Sequence, residues 1–263
     1  MRRLQLIEIH EQPWFPSSLR DQATDALQFG FKLLNAYAPV VPLLQSALNS
    51  TRSRSIVDLC SGGGGPWFDL SRKLRPDPQL LQAWLTDKYP NLSAVKNVRA
   101  ISENHIRFYP GAVDATRVPD ELKGFRTMFT SFHHFPPDEA RAILQNAVDA
   151  GEGIGIFEIT RRTPSTIALM LAWAVMLFFC TPWIRPFRWS HLLWTYLVPI
   201  IPLVWVFDGI VSCLRTYRPE ELLEIVDGLS PSQYQWQVGE LLTGKVPITY
   251  LMGCPQPDVS GVH

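Results

Sequence analysis

The sequence has few charged residues and no excess of either sign. Asp, Glu, Lys and Arg make up 18% of the 263 residues, and 24 basic side chains balance 24 acidic ones. Because nucleic-acid-binding proteins carry a basic excess, this balance argues against nucleic acid as a partner. Hydrophobic residues reach 46%, and many of them fall in one segment. A chain of this length can bury one large α/β core.

Cysteine is scarce and widely spaced. Cys60, Cys180, Cys213 and Cys254 form no Cys-x-x-Cys pair, so neither a zinc site nor a disulfide framework is expected. No other cluster of metal ligands is evident, and we predict no metal. The chain turns polar soon after Met1 and lacks the apolar core of a signal peptide, which predicts a cytoplasmic protein.

Short apolar runs alternate with helical patterns through the middle of the chain. This alternation predicts a parallel sheet whose strands are joined by right-handed helical crossovers. We place strands at 55–59, 81–86, 106–109, 125–131 and 153–159, and helices at 67–74, 91–102 and 137–150. A late helix at 219–226 precedes two closing strands, at 234–241 and 248–253, and a closing hairpin would make the sheet mixed.

A glycine-rich turn follows the first strand. The strand ends at Asp58, and the turn contains Ser61, Gly62, Gly63, Gly64 and Gly65. Glycine permits positive φ angles and lets backbone amides approach a ligand closely. The N terminus of the next helix then faces that ligand. A flexible turn without a ligand is the alternative interpretation.

Acidic residues follow the second and third strands. Asp87 stands beside Lys88, and Asp114 precedes Ala115. In nucleoside sites a carboxylate at the end of the second strand accepts hydrogen bonds from both ribose hydroxyls. An acid followed by a small residue suits adenine, because the carboxylate accepts from the exocyclic amine and the small side chain leaves room for the ring. Ordinary loop acids are the alternative.

Two adjacent histidines follow the fourth strand. Ser131 precedes His133 and His134 at the carboxyl edge of the predicted sheet, where α/β folds bind ligands. A histidine at this edge is a candidate general base. Two alternatives stay open, namely that it holds the substrate or that it shapes the cofactor pocket.

Taken in order, these motifs resemble those of the class I S-adenosylmethionine-dependent methyltransferases, over about residues 55–160. The resemblance implies an α/β, Rossmann-like sheet, mostly parallel with an antiparallel closing strand. Around it we expect an N-terminal helical extension and an apolar helical insertion after the fifth strand. S-adenosyl-L-methionine is the implied cofactor. A nicotinamide-dependent oxidoreductase, the nearest competitor, would need Gly-x-Gly-x-x-Gly, and this turn lacks it.

The resemblance also assigns roles to residues. In that family the glycine turn binds the amino-acid end of the cofactor, the acid after the second strand binds the ribose, and the Asp-Ala pair contacts the adenine. The implied cofactor contacts are Asp58, Ser61, Gly62, Gly63, Gly64, Asp87, Lys88, Asp114, Ala115 and Ser131, and the candidate base is His133 or His134. Four glycines followed by Pro66-Trp67 depart from the commoner Gly-x-Gly-x-Gly, so the glycines' individual roles stay open.

The pattern divides the chain into four segments. They are an N-terminal helical flap at 1–50, a cofactor-binding Rossmann-like core at 51–160, an apolar helical hairpin at 161–213 and a C-terminal completion of the core sheet at 214–263. Trp14 and Phe15, flanked by Pro13 and Pro16, make a rigid apolar flap that either covers the cofactor or packs against the domain.

The hairpin holds two uncharged runs, at 163–184 and 189–207, separated by Arg185-Pro186-Phe187-Arg188. Each reaches the length of about 18–20 residues that spans a membrane. Three interpretations stay open: a lid over an apolar substrate with Trp183 and Trp189, a shallow monotopic insertion into a membrane surface, or a homodimer interface. We therefore expect methyl transfer to a hydrophobic small molecule or lipid. The alternative from another class is a non-catalytic, membrane-associated scaffold.

Overall fold

A seven-stranded sheet forms the centre of the protein. The computed structural model describes residues 1–74, 81–89, 105–230, 234–242 and 246–256. The strands are β1 (Ser55–Asp58), β2 (Gln82–Leu85), β3 (Ile106–Phe108), β4 (Phe125–Phe129), β5 (Ile154–Glu158), β6 (Tyr234–Leu241) and β7 (Ile248–Pro255). Their order is β3-β2-β1-β4-β5-β7-β6, with β7 antiparallel to both neighbours and the other pairs parallel. The predicted mostly parallel sheet with an antiparallel closing strand is confirmed.

Helices cover both faces of this sheet. They are α1 (Ser17–Leu34), α2 (Val41–Ser50), α3 (Trp67–Lys73), α4 (Pro137–Asp149), α5 (Pro164–Cys180), α6 (Trp189–Leu192), α7 (Ile200–Arg215) and α8 (Pro219–Val226). Every residue of β4 and β5 is buried, as expected for central strands packed on both faces. The helix predicted for 91–102 lies outside the described residues.

Prolines bend the apolar hairpin. α6 continues as a π-helical turn, Leu193–Leu197, and then meets α7 at an angle of 76°. Pro199 lies at this break. Proline has no amide hydrogen, so it cannot donate the hydrogen bond that would continue the helix. Among the described residues, one helical segment, Pro164–Trp183, is long and apolar enough to cross a membrane. Its mean hydropathy is 1.8, and 33% of that window is buried.

The N-terminal segment packs against the hairpin. Phe15 and Leu19 share a buried cluster with Ile201 and Val204 of α7. On α1, a Cβ added to Gly30 would lie 2.6 Å from the ring of Trp173, so the glycine allows α1 to approach α5 closely. The flap and the hairpin therefore form one packed layer beside the sheet.

Candidate functional site

The turn after β1 uses left-handed backbone at four positions. The φ angles are +56° at Cys60, +53° at Gly62, +108° at Gly64 and +49° at Gly65. Glycine adopts such angles at little cost, which explains the composition of this turn. A Cβ added to Gly62 would meet no described atom within 4 Å, so the space beside that residue is open.

Asp58 lies behind the turn and holds its shape. Its Oδ2 accepts a hydrogen bond of 2.6 Å from the Ser61 hydroxyl, and its Oδ1 accepts one of 2.7 Å from Thr127. The carboxyl is 1% exposed, and burial raises its pKa to about 7 despite these two donors. The structure thus places Asp58 and Ser61 as supports of the turn, and direct contact of either with a ligand stays a prediction.

Asp87 joins the end of β2 to the turn. Its Oδ2 accepts from the amide of Gly62 and its Oδ1 from the amide of Tyr89, both at 2.8 Å. Burial raises the pKa of Asp87, partly offset by these amides. A carboxylate oxygen has two lone pairs, so each oxygen retains one that can accept a further hydrogen bond, as a ribose diol requires.

Asp114 lies near the surface, in an ion pair with Lys88. The Lys88 Nζ is 2.9 Å from Oδ2, and Oδ1 accepts from the amide and the hydroxyl of Thr116. These hydrogen bonds from Thr116 and Lys88 lower the pKa of Asp114 to about 2, so the group is ionised. Ala115 is buried and packs into the core with Val113 and Val118.

Ser131 brings an unsatisfied hydroxyl to the end of β4. The residue is 5% exposed, and its Oγ has no hydrogen-bond partner among the described residues. The preceding Thr130 has a φ of +46°, and its Oγ1 lies 2.5 Å from the hydroxyl of Tyr37. A buried polar atom without a partner is costly, so it points to a ligand or water at this place.

His133 is buried between two carboxylates. Its Nδ1 lies 2.8 Å from Oε2 of Glu158, and its Nε2 lies 3.6 Å from Oε1 of Glu8. Burial alone would lower the pKa of His133, but the carboxylates outweigh it and raise the pKa to about 9. With 1% of its side chain exposed, His133 is held in the interior, and Oε1 of Glu158 accepts hydrogen bonds from the backbone amides of Phe132 and His133.

His134 lies closer to the surface, with 24% of its side chain exposed. Its Nδ1 contacts Oε1 of Glu11, whose Oε2 pairs at 2.8 Å with Arg215. Burial and the neighbouring His133 lower the pKa of His134. A neutral imidazole at this edge can accept a proton or bind a metal ion. The sequence prediction of a base at His133 or His134 stays a prediction.

Sequence analysis missed most of this polar cluster. Glu158 is the last residue of β5 and lies at the carboxyl edge of the sheet. It is an acid at the end of a strand, which is the pattern that identified Asp87. The other members come from distant parts of the chain: Glu8, His10, Glu11, Asp208 and Arg215. The sequence marks Asp208 and Arg215 only as the first charged residues after the uncharged run at 189–207.

The predicted lid residues divide into one buried and three exposed side chains. Phe15 is 5% exposed, whereas Trp14, Trp183 and Trp189 are 70%, 64% and 78% exposed. Trp183 borders a cavity of about 520 Å³ between α1, the glycine turn and α3. That cavity meets the turn through Gly63 and Gly65 and does not reach the acids of β2 and β3.

Several solved structures of methyltransferases are similar to this chain in fold. The plantazolicin methyltransferase BpumL, in complex with SAH, is 10% identical, with a TM-score of 0.62 over 94% of both chains. The methyltransferase SibL, in its apo form, is 14% identical, with a TM-score of 0.52 over 94% of this chain and 60% of its own. An O-methyltransferase family protein from Burkholderia thailandensis is 16% identical, with a TM-score of 0.50 over 91% and 63%.

At these identities the likeness establishes the fold, and the chain has the class I methyltransferase fold. No protein-family model matches the chain. No curated protein matches it in sequence either.

Proposed function

We propose that this chain, which has the class I methyltransferase fold, is an S-adenosylmethionine-dependent methyltransferase. One observation carries the proposal. At the carboxyl edge of the sheet the open glycine turn donates a hydrogen bond to Asp87. The same edge carries Asp114 and the hydroxyl of Ser131, which has no hydrogen-bond partner among the described residues. Those groups match the parts of a nucleoside linked to an amino acid, because hydroxyls and amines donate to carboxylates and a charged amino acid suits backbone amides.

The residues present fit this cofactor. The open space beside Gly62 admits its amino-acid end, and the remaining lone pairs of Asp87 can accept from the ribose hydroxyls. Asp114 is ionised and half-exposed, so it can accept from the adenine amine. When bound, S-adenosyl-L-methionine supplies a methyl group on a positively charged sulfur. The rate enhancement would come mainly from holding the acceptor in line with that group.

The surface of the hairpin supports the proposed substrate class. Large apolar side chains on it face solvent, among them Val175, Phe179, Leu197 and Leu203 at 59%, 65%, 75% and 64% exposure. Exposed apolar surface of this extent is typical of a binding surface. Arg185 lies exposed at the turn beside Trp183 and Trp189, an arrangement that suits anionic lipid head groups with the aromatic rings at the interface.

We therefore propose that the hairpin inserts shallowly into a lipid surface and that the methyl acceptor is a lipid or an apolar small molecule delivered from it. Prolines that bend the hairpin by 76° suit a segment lying in the interface better than one crossing the bilayer. If the hairpin does not bind a lipid surface, the two alternatives are that it forms a soluble lid over the substrate or a homodimer interface.

The first test is calorimetry of the purified chain with S-adenosylmethionine, S-adenosylhomocysteine and NAD. The proposal predicts binding of both sulfur compounds and not of NAD. Absence of binding, or a preference for NAD, would overturn it. Incubation with radiolabelled S-adenosylmethionine and a cell extract then tests the substrate class. Label should partition into the organic phase, and label confined to water-soluble products would refute a lipid acceptor while leaving methyl transfer intact.

A further inference from the structure

Three potential metal ligands converge beside the end of β4. Glu8, His10 and His134 each offer one ligand atom, and these three atoms all lie within 4.8 Å of one another. Oε2 of Glu8 lies 3.5 Å from the His10 nitrogen and 3.8 Å from the His134 nitrogen. Two of these residues belong to the N-terminal segment and one to the sheet edge, so tertiary packing alone brings them together.

Two of the three separations come close to those of a metal site. Zinc bonds to nitrogen and oxygen ligands measure about 2.0–2.2 Å, which places two ligands of a tetrahedral ion about 3.3–3.6 Å apart. The two separations from Glu8 lie at or slightly above this range. A small movement of His134 towards Glu8 would bring their separation into the range as well.

Glu8 supplies a second, independent observation. It is completely buried, and its Oε2, which lies between the two imidazoles, has no hydrogen-bond partner among the described residues. Its Oε1 is already satisfied by the Ser212 hydroxyl at 2.9 Å and lies 3.3 Å from Arg215. A buried carboxylate oxygen is left unpaired at high cost, and a cation between Glu8, His10 and His134 removes that cost.

The surroundings carry the charge that a divalent cation would balance. Asp208 Oδ2 lies 2.9 Å from Nδ1 of His10, and Glu11 contacts Nδ1 of His134. Glu158 adds a fourth carboxylate on the far side of His133. Against these four acids, counting Glu8, Arg215 supplies one positive charge and His133, whose pKa is raised to about 9, supplies a second, so two negative charges are left for a divalent cation to balance.

We propose that Glu8, His10 and His134 bind a first-row divalent transition metal ion, with the adjacent carboxylate of Asp208 or Glu11 in the fourth position. Two imidazoles with carboxylates favour zinc, iron, cobalt or nickel over magnesium and calcium, which prefer all-oxygen sites. The ion joins the N-terminal segment to β4 and, through Asp208, to α7. It therefore holds the flap and the hairpin closed against the sheet edge.

This site also changes the role of His134. A neutral imidazole that binds a metal through Nδ1 carries its proton on Nε2. His134 then donates a hydrogen bond from that nitrogen and does not accept a proton from the methyl acceptor. The assignment stands independently of the proposed methyl transfer, because it rests on the geometry of the three ligands.

Titration of the metal-free chain with Zn²⁺ and Co²⁺, in the absence of S-adenosylmethionine, tests the site. We expect one ion per chain and visible Co²⁺ absorption bands of a four-coordinate centre with nitrogen and oxygen ligands. Glu8→Gln keeps the shape of the side chain and removes its charge. It should weaken Co²⁺ binding by more than the roughly 10–100-fold that loss of an outer partner costs. The double variant His10→Ala/His134→Ala should abolish the bands.

His105→Ala is the matched control, since His105 lies outside the cluster. It should leave affinity and spectrum unchanged. Circular dichroism of each metal-free variant establishes that it is folded, and E8Q decides the matter if the double variant does not fold. Equal Co²⁺ binding by wild type and E8Q, or no binding by the wild type, would overturn the metal site. Either result would leave binding of S-adenosylhomocysteine unaffected and return the base role to His134.

Discussion

The backbone amide of Gly62 lies 2.8 Å from Oδ2 of Asp87 and donates a hydrogen bond to it. This bond links the turn after β1 to the end of β2 across 25 positions of sequence. The carboxylate therefore does two things in the proposed enzyme: it fixes the turn, and it offers its remaining lone pairs to a ligand.

Asp87→Asn should weaken binding of S-adenosylhomocysteine while the chain stays folded. The amide keeps the shape, but it cannot accept at both terminal atoms, and hydrogen bonds to a charged group contribute about 1.5–3 kcal/mol each. We expect a loss of about 10–100-fold in calorimetric affinity. Asp120→Asn, at an exposed acid outside the site, is the control. Unchanged affinity in D87N would remove Asp87 from the cofactor site.

Gly62→Ala should destabilise the fold more than Gly63→Ala does. A Cβ at Gly62 meets no described atom, but φ is +53°, so the substitution costs about 1–2 kcal/mol of stability. A Cβ at Gly63 would lie 2.1 Å from Nε2 of Gln28 on α1. That atom is the free end of a flexible side chain, so G63A should cost little, and Gln28→Ala should remove the remaining cost of G63A while leaving G62A unimproved. Chemical denaturation of the four variants measures this difference.

The raised pKa of Asp58 predicts a pH-dependent stability. Its pKa is about 7 in the folded chain against 3.8 for the free group, so the folded state holds a proton that the unfolded state has lost. Stability should fall as pH rises from about 4 to 7, by on the order of 4 kcal/mol, and level off above 7. The difference in unfolding free energy between wild type and Asp58→Asn isolates this group. A difference that is constant with pH contradicts the raised pKa.

Substitution of exposed aromatics on the hairpin should abolish lipid binding. Phe179→Ser/Trp189→Ser removes side chains that are 65% and 78% exposed, so the fold should be little affected. In flotation with vesicles of anionic phospholipid, the wild type should float and the variant should sediment. Leu223→Ser, at a 52% exposed leucine on α8, should behave like wild type. If the wild type fails to float and light scattering reports a dimer, the hairpin is a dimer interface instead.

The sequence predicted the strands and the glycine turn because those features are encoded locally. Residues 55–65 contain both the apolar run of β1 and the glycines that its turn requires. The charged cluster could not be predicted in the same way. Glu8 and Ser212 are 204 positions apart and meet only because α7 packs on the N-terminal segment. Local sequence patterns carry no information about that contact. Nothing in the sequence therefore identifies a residue such as Asp208 as a member of the cluster.

The antiparallel strand β7 has a consequence for the order of events during synthesis. β7 pairs with β5 along the whole of Ile154–Glu158, yet it follows the apolar hairpin in the chain. As the ribosome elongates the protein, β5 and the hairpin both emerge before the strand that covers the edge of β5. The nascent chain thus exposes the unpaired edge of β5 and the apolar hairpin at the same time. That combination is prone to aggregation. An early encounter of the hairpin with a chaperone or a lipid surface would protect the growing chain until β7 arrives.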